Sequence, residues 1–555
     1  MRHFILAGLA AIASQTPALT PQQEAIRPFG PICGEAPIFA DARDHKLLML
    51  PNMGNDHMQA DTSNLEAQKW FDYGLSLTRS FQHEDAALAF AKAQGLDPTC
   101  SMCVWGEAYA RGPTINYGNE PDDHALVKYL AHKAQDLAGP RTTPTMRALE
   151  AGLVARFDAP IPAEDEADAK ANVVWSDAMD ALHKASPEDV ELAIFDADAW
   201  LMRATDKDKT LKAPREAVKI LKPLIAAHAE STGLIHYYIH ATEYADDAEA
   251  ALPYVKHMGE LAAGASHMVH MPSHTYLRAG LYEAAGKANL DALLVDEAYA
   301  RTTGTRKALG ALAYHSHDFE FGLVGAMLAG DKATALRLVG MLHRDYPTQS
   351  DAEKSHYVAA DALIAFAEFA APEAALKATE TAQPTPMLEA MRHYARGRAL
   401  LRQGRPSAVW GEAEWIRLAS DGPSPPSKTA QAVVKIARLS LQGDAALAEH
   451  ETGAAITLYR AAAEVQEAEF SESFDPPIWW FPVRRNLAAA LVASGDPAAA
   501  VKETQKVLKT WKQEPLTLSV QARAEDLIGD KAAALADRAK AAKGWLGDSQ
   551  TLRSE

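Results

Sequence analysis

The chain has 555 residues, 48% hydrophobic and 7% aromatic, with a formal net charge of −18. One hydrophobic core does not support that length, so several domains or a repeat array are expected. The acidic balance and the lack of a basic stripe exclude the usual nucleic-acid binder and an anionic membrane surface as partner, and the bland reading of the acidity is solubility.

In chain order, Arg2 and His3 form a short basic start, and Phe4 to Ile12 is an apolar run too short to span a bilayer. Ala11-Ile12-Ala13 and Thr16-Pro17-Ala18 offer small-residue cleavage sites, so residues 1–18 read as a signal peptide. The expected protein is therefore periplasmic or secreted, with no membrane span after signal removal; an ordinary buried helix is the alternative. Residues 19–63 form an aperiodic, Pro-containing lead-in. Three cysteines, Cys33, Cys100 and Cys103, cannot supply a disulfide framework, though one bridge is possible.

Helical patterning begins near Leu65 and runs to the end. Loop signals fall at Gly139-Pro140, Ala159 to Pro162, Gln383 to Pro386 and Asp421 to Pro426. The expected fold class is all-α, a solenoid of antiparallel helix pairs. It divides into an array over 64–378 that carries a histidine cluster and a second array over 379–555. A plain α-bundle is the competing reading.

The segment Trp70 to Pro98 resembles a tetratricopeptide repeat. With Gly74 at the eighth place, Ala86, Phe90, Ala93 and Pro98 fall on that family's signature places. Small residues there let two helices approach, the aromatic fills the gap to the next pair, and Pro ends the second helix. Weaker copies begin at Gly106, at Gly330 with Ala335, Val339, Leu342 and Pro347, at Ala455 with Tyr459 and Ala462, and at Gly495 with Ala500.

Of the 20 histidines, six lie in 236–274, and five of them, all but His257, fall at helical spacing in two sets. His236, His240 and Glu243 form one helical stripe; His267, His270 and His274 form another. His236 to His270 and His240 to His274 are both 34 residues, one repeat, so the stripes should lie side by side. In the tetratricopeptide family first helices line a concave groove, and the resemblance implies that these residues face it. His317 and Glu320 align as a third contribution, past an insertion near 295–310, and Arg278 would sit at the rim. The segments His236 to Glu243, His270 to Arg278 and Cys103 to Ala108 also resemble a group of long bacterial tetratricopeptide proteins for which the resemblance implies architecture but no reaction.

Neutral imidazole is the commonest biological metal ligand, and His with one carboxylate suits Cu, Zn or Fe. The expected metal set is His236, His240, Glu243, His267, His270, His274 and His317. Met268 and Met271 would favour Cu(I) if they turned inward, and are otherwise packing. The alternatives are a metal-free groove for a partner protein, peptide or small molecule, and plain hydrogen bonding between helices. Cys100-Ser-Met-Cys103, with Glu107 and Arg111, is a second groove candidate: a structural bridge, free thiols, a metal ligand pair or a redox pair. It departs from the resembled group. The aromatic run Asp475 to Arg485 caps the groove or packs between repeats. No Ser-His-Asp order, Walker loop, Gly-rich dinucleotide turn or zincin motif is present, so metal-dependent catalysis is left open.

Overall fold

The computed structural model describes residues 47–116, 121–160, 170–204, 210–304, 309–346, 353–421, 426–471 and 475–554. The expected signal peptide, Cys33, Pro347 and parts of two predicted loops (161–162 and 422–425) lie outside the described residues. Helices follow one another from Leu65–Arg79 to Ser549–Ser554, with no strand among the described residues. Each packs mainly on its neighbours in sequence, the arrangement of a tetratricopeptide-like array. No helix among the described residues is long and apolar enough to cross a membrane.

Local chemistry sets the helix ends. The Asn64 side chain accepts from the backbone N–H groups of Glu66 and Ala67 and starts helix Leu65–Arg79. Gly330, at φ +68°, ends helix His315–Ala329 in the left-handed region. The predicted breaks fall between helices: Pro121–Leu137 ends before Gly139, and Pro386–Arg402 begins after Gln383.

Packing follows the repeat logic. The Phe90 ring lies between Gly74 and Gly106: a Cβ on either would sit 3.0 Å or 2.4 Å from it. Phe90 itself is fully buried. Tyr459 fills the same role beside Gly443, where a Cβ would lie 2.6 Å from the ring.

The array winds back on itself. At the N-terminal end Asp56 accepts from the Gly233 N–H at 3.2 Å, Arg79 pairs with Glu191 at 3.2 Å, and the Tyr299 hydroxyl donates to Asp85. At the C-terminal end the Lys512 carbonyl accepts from Tyr282 at 2.9 Å, and the Leu546 N–H donates to the Ala329 carbonyl at 2.8 Å. Gly280 permits this closure. Its φ is +77°, and a Cβ there would stand 2.0 Å from the Lys512 carbonyl oxygen.

Two large apolar clusters result. One draws on residues from Met53 to Met271 together with Tyr314; the other runs from Leu277 to Ala524. They divide between 271 and 277, and Leu338, Ile364, Tyr394 and Trp479 share the second cluster. The histidine stretch lies on that division.

Candidate metal centre

Four helices supply the rings. Thr232–Tyr244, started by the Ser231 side chain accepting from the Leu234 N–H, presents His236 and His240. Ser266–His270 and Pro272–Arg278 are separated at Met271 and carry His267, His270 and His274. Helix His315–Ala329 adds His317, beyond the 22-residue helix Tyr282–Thr303 that contains most of the expected insertion.

The structure gathers these residues into two all-histidine trios, His236, His240 and His267, and His270, His274 and His317, and into a third group of Glu243, His274 and Asp475 that shares His274 with the second. Within each trio one ligand atom per residue lies within 4.8 Å of the others. The Nε2 atom of His236 is 3.1 Å from that of His240 and 3.2 Å from that of His267. The Nε2 atoms of His270 and His274 are 2.9 Å apart. Three ligands about 2.0–2.1 Å from one ion at tetrahedral angles would lie about 3.3 Å from one another. The one-repeat spacing does place His240 beside His274, with ring centroids 5.8 Å apart. His236, however, joins His267, at 5.0 Å, because His267 lies one turn earlier on the second stripe.

Proton placement separates metal ligation from ring-to-ring hydrogen bonding. His270 Nδ1 is 2.5 Å from Asn289 Oδ1, and the Asn289 amide is oriented by its Nδ2 donating to the Ala285 carbonyl at 2.8 Å. His270 Nδ1 also lies 3.1 Å from Asp318. His274 Nδ1 faces Glu243 at 2.8 Å and Asp475 at 3.1 Å. All these partners are acceptors, so both Nδ1 atoms carry hydrogen, and when both rings are neutral the two Nε2 atoms present lone pairs to each other. In the first trio His236 Nδ1 donates to the Arg79 carbonyl at 2.5 Å, leaving one lone pair on Nε2 between two neighbouring Nε2 atoms. That lone pair can accept only one N–H, while Nδ1 of His240 and of His267 has no hydrogen-bond partner. A cation among the nitrogens resolves both conflicts.

In the first trio a proton is a poor candidate for that cation. Burial pushes His236 down to about 3, with the neighbouring imidazoles adding to the effect. Burial likewise drives His240 and His267 well below the usual range. Around the second trio charge is acidic instead. Burial raises the Asp318 carboxyl against the pull of His270. For Glu243, burial is outweighed by His274 and Arg278, which hold its carboxyl down.

Several expectations need correction. The cluster is not an open groove wall: His236, His240, His270 and His274 are fully buried. Winding closes over them, with Phe81 and Tyr314 packed against the first trio. Glu243 groups with His274 and Asp475 rather than with either all-histidine trio. It lies behind His274, on the Nδ1 side of the ring, and also accepts from Arg278 at 3.3 Å. Met268 and Met271 belong to the apolar core. Cys100 and Cys103 form a buried disulfide at the start of helix Ser101–Arg111, and Glu107 pairs with Arg111 at 3.0 Å. None of these four is in a candidate metal group among the described residues. Glu320 approaches His317 at 3.8 Å.

Sequence reasoning missed Phe81, Asn289, Asp318 and Phe321, which support the rings. Asp475 was legible only as the first residue of the aromatic run, whose Trp479 and Trp480 are buried. The adjacency of Asp318 to His317 was the one available signal.

No protein-family model matches this chain, and no curated protein does. Among solved structures it is similar to the human IFIT1 dimer with m7Gppp-AAAA, at 13% identity, 87% of this chain, 90% of that one and a TM-score of 0.28. The corresponding figures for the yeast Tom70 structure are 11%, 85%, 90% and 0.27. For the APC/C hetero-tetramer Cut9–Hcn1 they are 11%, 88%, 95% and 0.22. Superpositions this loose carry no weight; the architecture stands on the helix order and on the Gly74–Phe90–Gly106 packing. By those features the chain is an all-α helical-repeat protein of tetratricopeptide-like build.

Proposed function

We propose that this chain is an exported transition-metal protein whose interior histidine cluster holds copper, zinc or iron. The observation that carries the reading is the pair His270 Nε2 and His274 Nε2, 2.9 Å apart, each with its Nδ1 already committed to an acceptor. Two lone pairs at that distance repel unless a cation lies between or beside them. All-nitrogen donor sets suit copper, zinc and iron, and the acceptors behind the rings fix the ligating tautomer. Burial of the rings argues against a peptide reaching them, so a metal-free docking groove has less support.

Elemental analysis of untagged full-length protein, incubated with each metal and desalted, tests the reading. At least one tightly held ion per chain is expected, with His270→Ala lowering the content. Folded protein retaining less than about 0.2 ion per chain overturns it. Export is tested separately: N-terminal sequencing of protein from periplasm or medium should begin after residue 18.

A further inference from the structure

We infer that the centre is dinuclear: a pair of copper ions, one per imidazole trio, that binds dioxygen between them as peroxide. This rests on the metal reading above. The two trios share no residue and contain the same parts. Each has a histidine pair four residues apart on one helical stretch and a third histidine from elsewhere. Each is packed against one phenylalanine. Phe81 lies 4.6, 5.8 and 4.9 Å from the rings of His236, His240 and His267. Phe321 lies 5.1, 4.7 and 4.9 Å from those of His270, His274 and His317. The trios adjoin along two edges, with His240 5.8 Å from His274 and His267 5.6 Å from His270. Ions held by such neighbouring sets are close enough to share a small ligand, as in two-metal centres with separations of about 3.5–4 Å.

Donor chemistry selects copper. Three neutral nitrogens satisfy Cu(I), whereas zinc seeks a fourth ligand, non-haem iron(II) a carboxylate beside its histidines, and magnesium, calcium and manganese oxygen. The carboxylates Glu243 and Asp318 lie on the Nδ1 sides of their rings, and Asp475 Oδ1 lies 3.1 Å from His274 Nδ1 and 3.9 Å from His317 Nε2. The first trio has only the Arg79 carbonyl behind His236, so a singly charged ion is buried there at lower desolvation cost than a doubly charged one. Full burial of the rings restricts the bridging ligand to something very small. In the step proposed, each Cu(I) gives one electron and becomes Cu(II). Dioxygen accepts both electrons and becomes peroxide, its O–O bond falling from double to single. No proton moves, and reversal releases dioxygen.

The test uses the full chain loaded anaerobically with Cu(I), then exposed to dioxygen in an electrode cell. Two coppers per chain and uptake of one dioxygen per chain are expected. One copper per chain overturns the pair and leaves the single-metal reading standing; no bound metal of any kind removes both. Two coppers without uptake overturn the dioxygen assignment, and tighter binding of zinc than of Cu(I) in chelator competition overturns the choice of metal. His267→Ala and His317→Ala should each retain one copper and lose uptake; two coppers in either overturns the ligand assignment. If either variant fails to fold by circular dichroism, Cu(I) titration of the unaltered chain against a competing chelator must still resolve two binding steps, and a single step counts against the pair.

Discussion

Behind the rings of the first trio lie the Arg79 carbonyl on His236, where the Arg79 charge adds to the burial that lowers the ring's pKa, and apolar surroundings at His240 and His267. Behind the second lie Asn289, Asp318, Glu243 and Asp475, with Arg278 beyond Glu243. The imidazoles are arranged alike, but the second set is backed by negative charge. Carboxylates accepting from Nδ1 make Nε2 a stronger donor and offset the charge of a bound ion. On the proposed metal reading the second trio is expected to be the tighter site, to fill first and to empty last, with the difference set one layer behind the ligands.

The largest test of this contrast is His270→Ala. Loss of one of three nitrogens and of the Asn289 partnership should weaken the second site by more than about 100-fold, beyond the 10–100-fold range for second-layer changes. His236→Ala should remove the weaker ion and spare the tighter one, and chelator competition reads both. Equal losses in the two variants would break the comparison.

Glu243→Gln comes next. The amide oxygen can still accept from His274, but the charge is gone, so the second site should weaken by about 10–100-fold with the first unchanged. Metal should also raise thermal stability, by about 2.7 kcal/mol at free metal 100 times Kd, in differential scanning calorimetry. That increment should shrink in Glu243→Gln at fixed metal concentration.

The smallest effect concerns His83, which stacks on Phe81, the aromatic ring beside the first trio, with centroids 5.6 Å apart. Burial pushes its imidazole down to about 4. The unfolded chain takes up this proton near the ordinary pKa of about 6.5, whereas the folded chain resists until about 4. Stability is thus unaffected above the unfolded value and declines as pH falls from 6.5 towards 4, by at most about 1.4 kcal/mol per pH unit. His83→Gln should flatten that slope in urea titrations of metal-free protein; an unchanged slope would show that His83 is not its source.

Periodicity made the helices legible, and the Gly74, Phe90 and Gly106 spacing made the repeat legible, because both are local consequences of chain geometry. The 34-residue interval brought His240 to His274 on the same grounds. Division into two trios was not legible. It depends on how far one helix is rotated and shifted against the next, which sets His236 against His267. Nor was burial: a repeat register places residues on a face and does not tell whether distant turns close over it. That closure needs Gly280 against Lys512 and Asp56 against Gly233, contacts between residues far apart in sequence. The sequence by itself determined which residue types recur at one-repeat intervals. Only the tertiary structure decided which ring nitrogens face one another and which carboxylates stand behind them, because sub-ångström donor geometry comes from long-range packing rather than from local spacing.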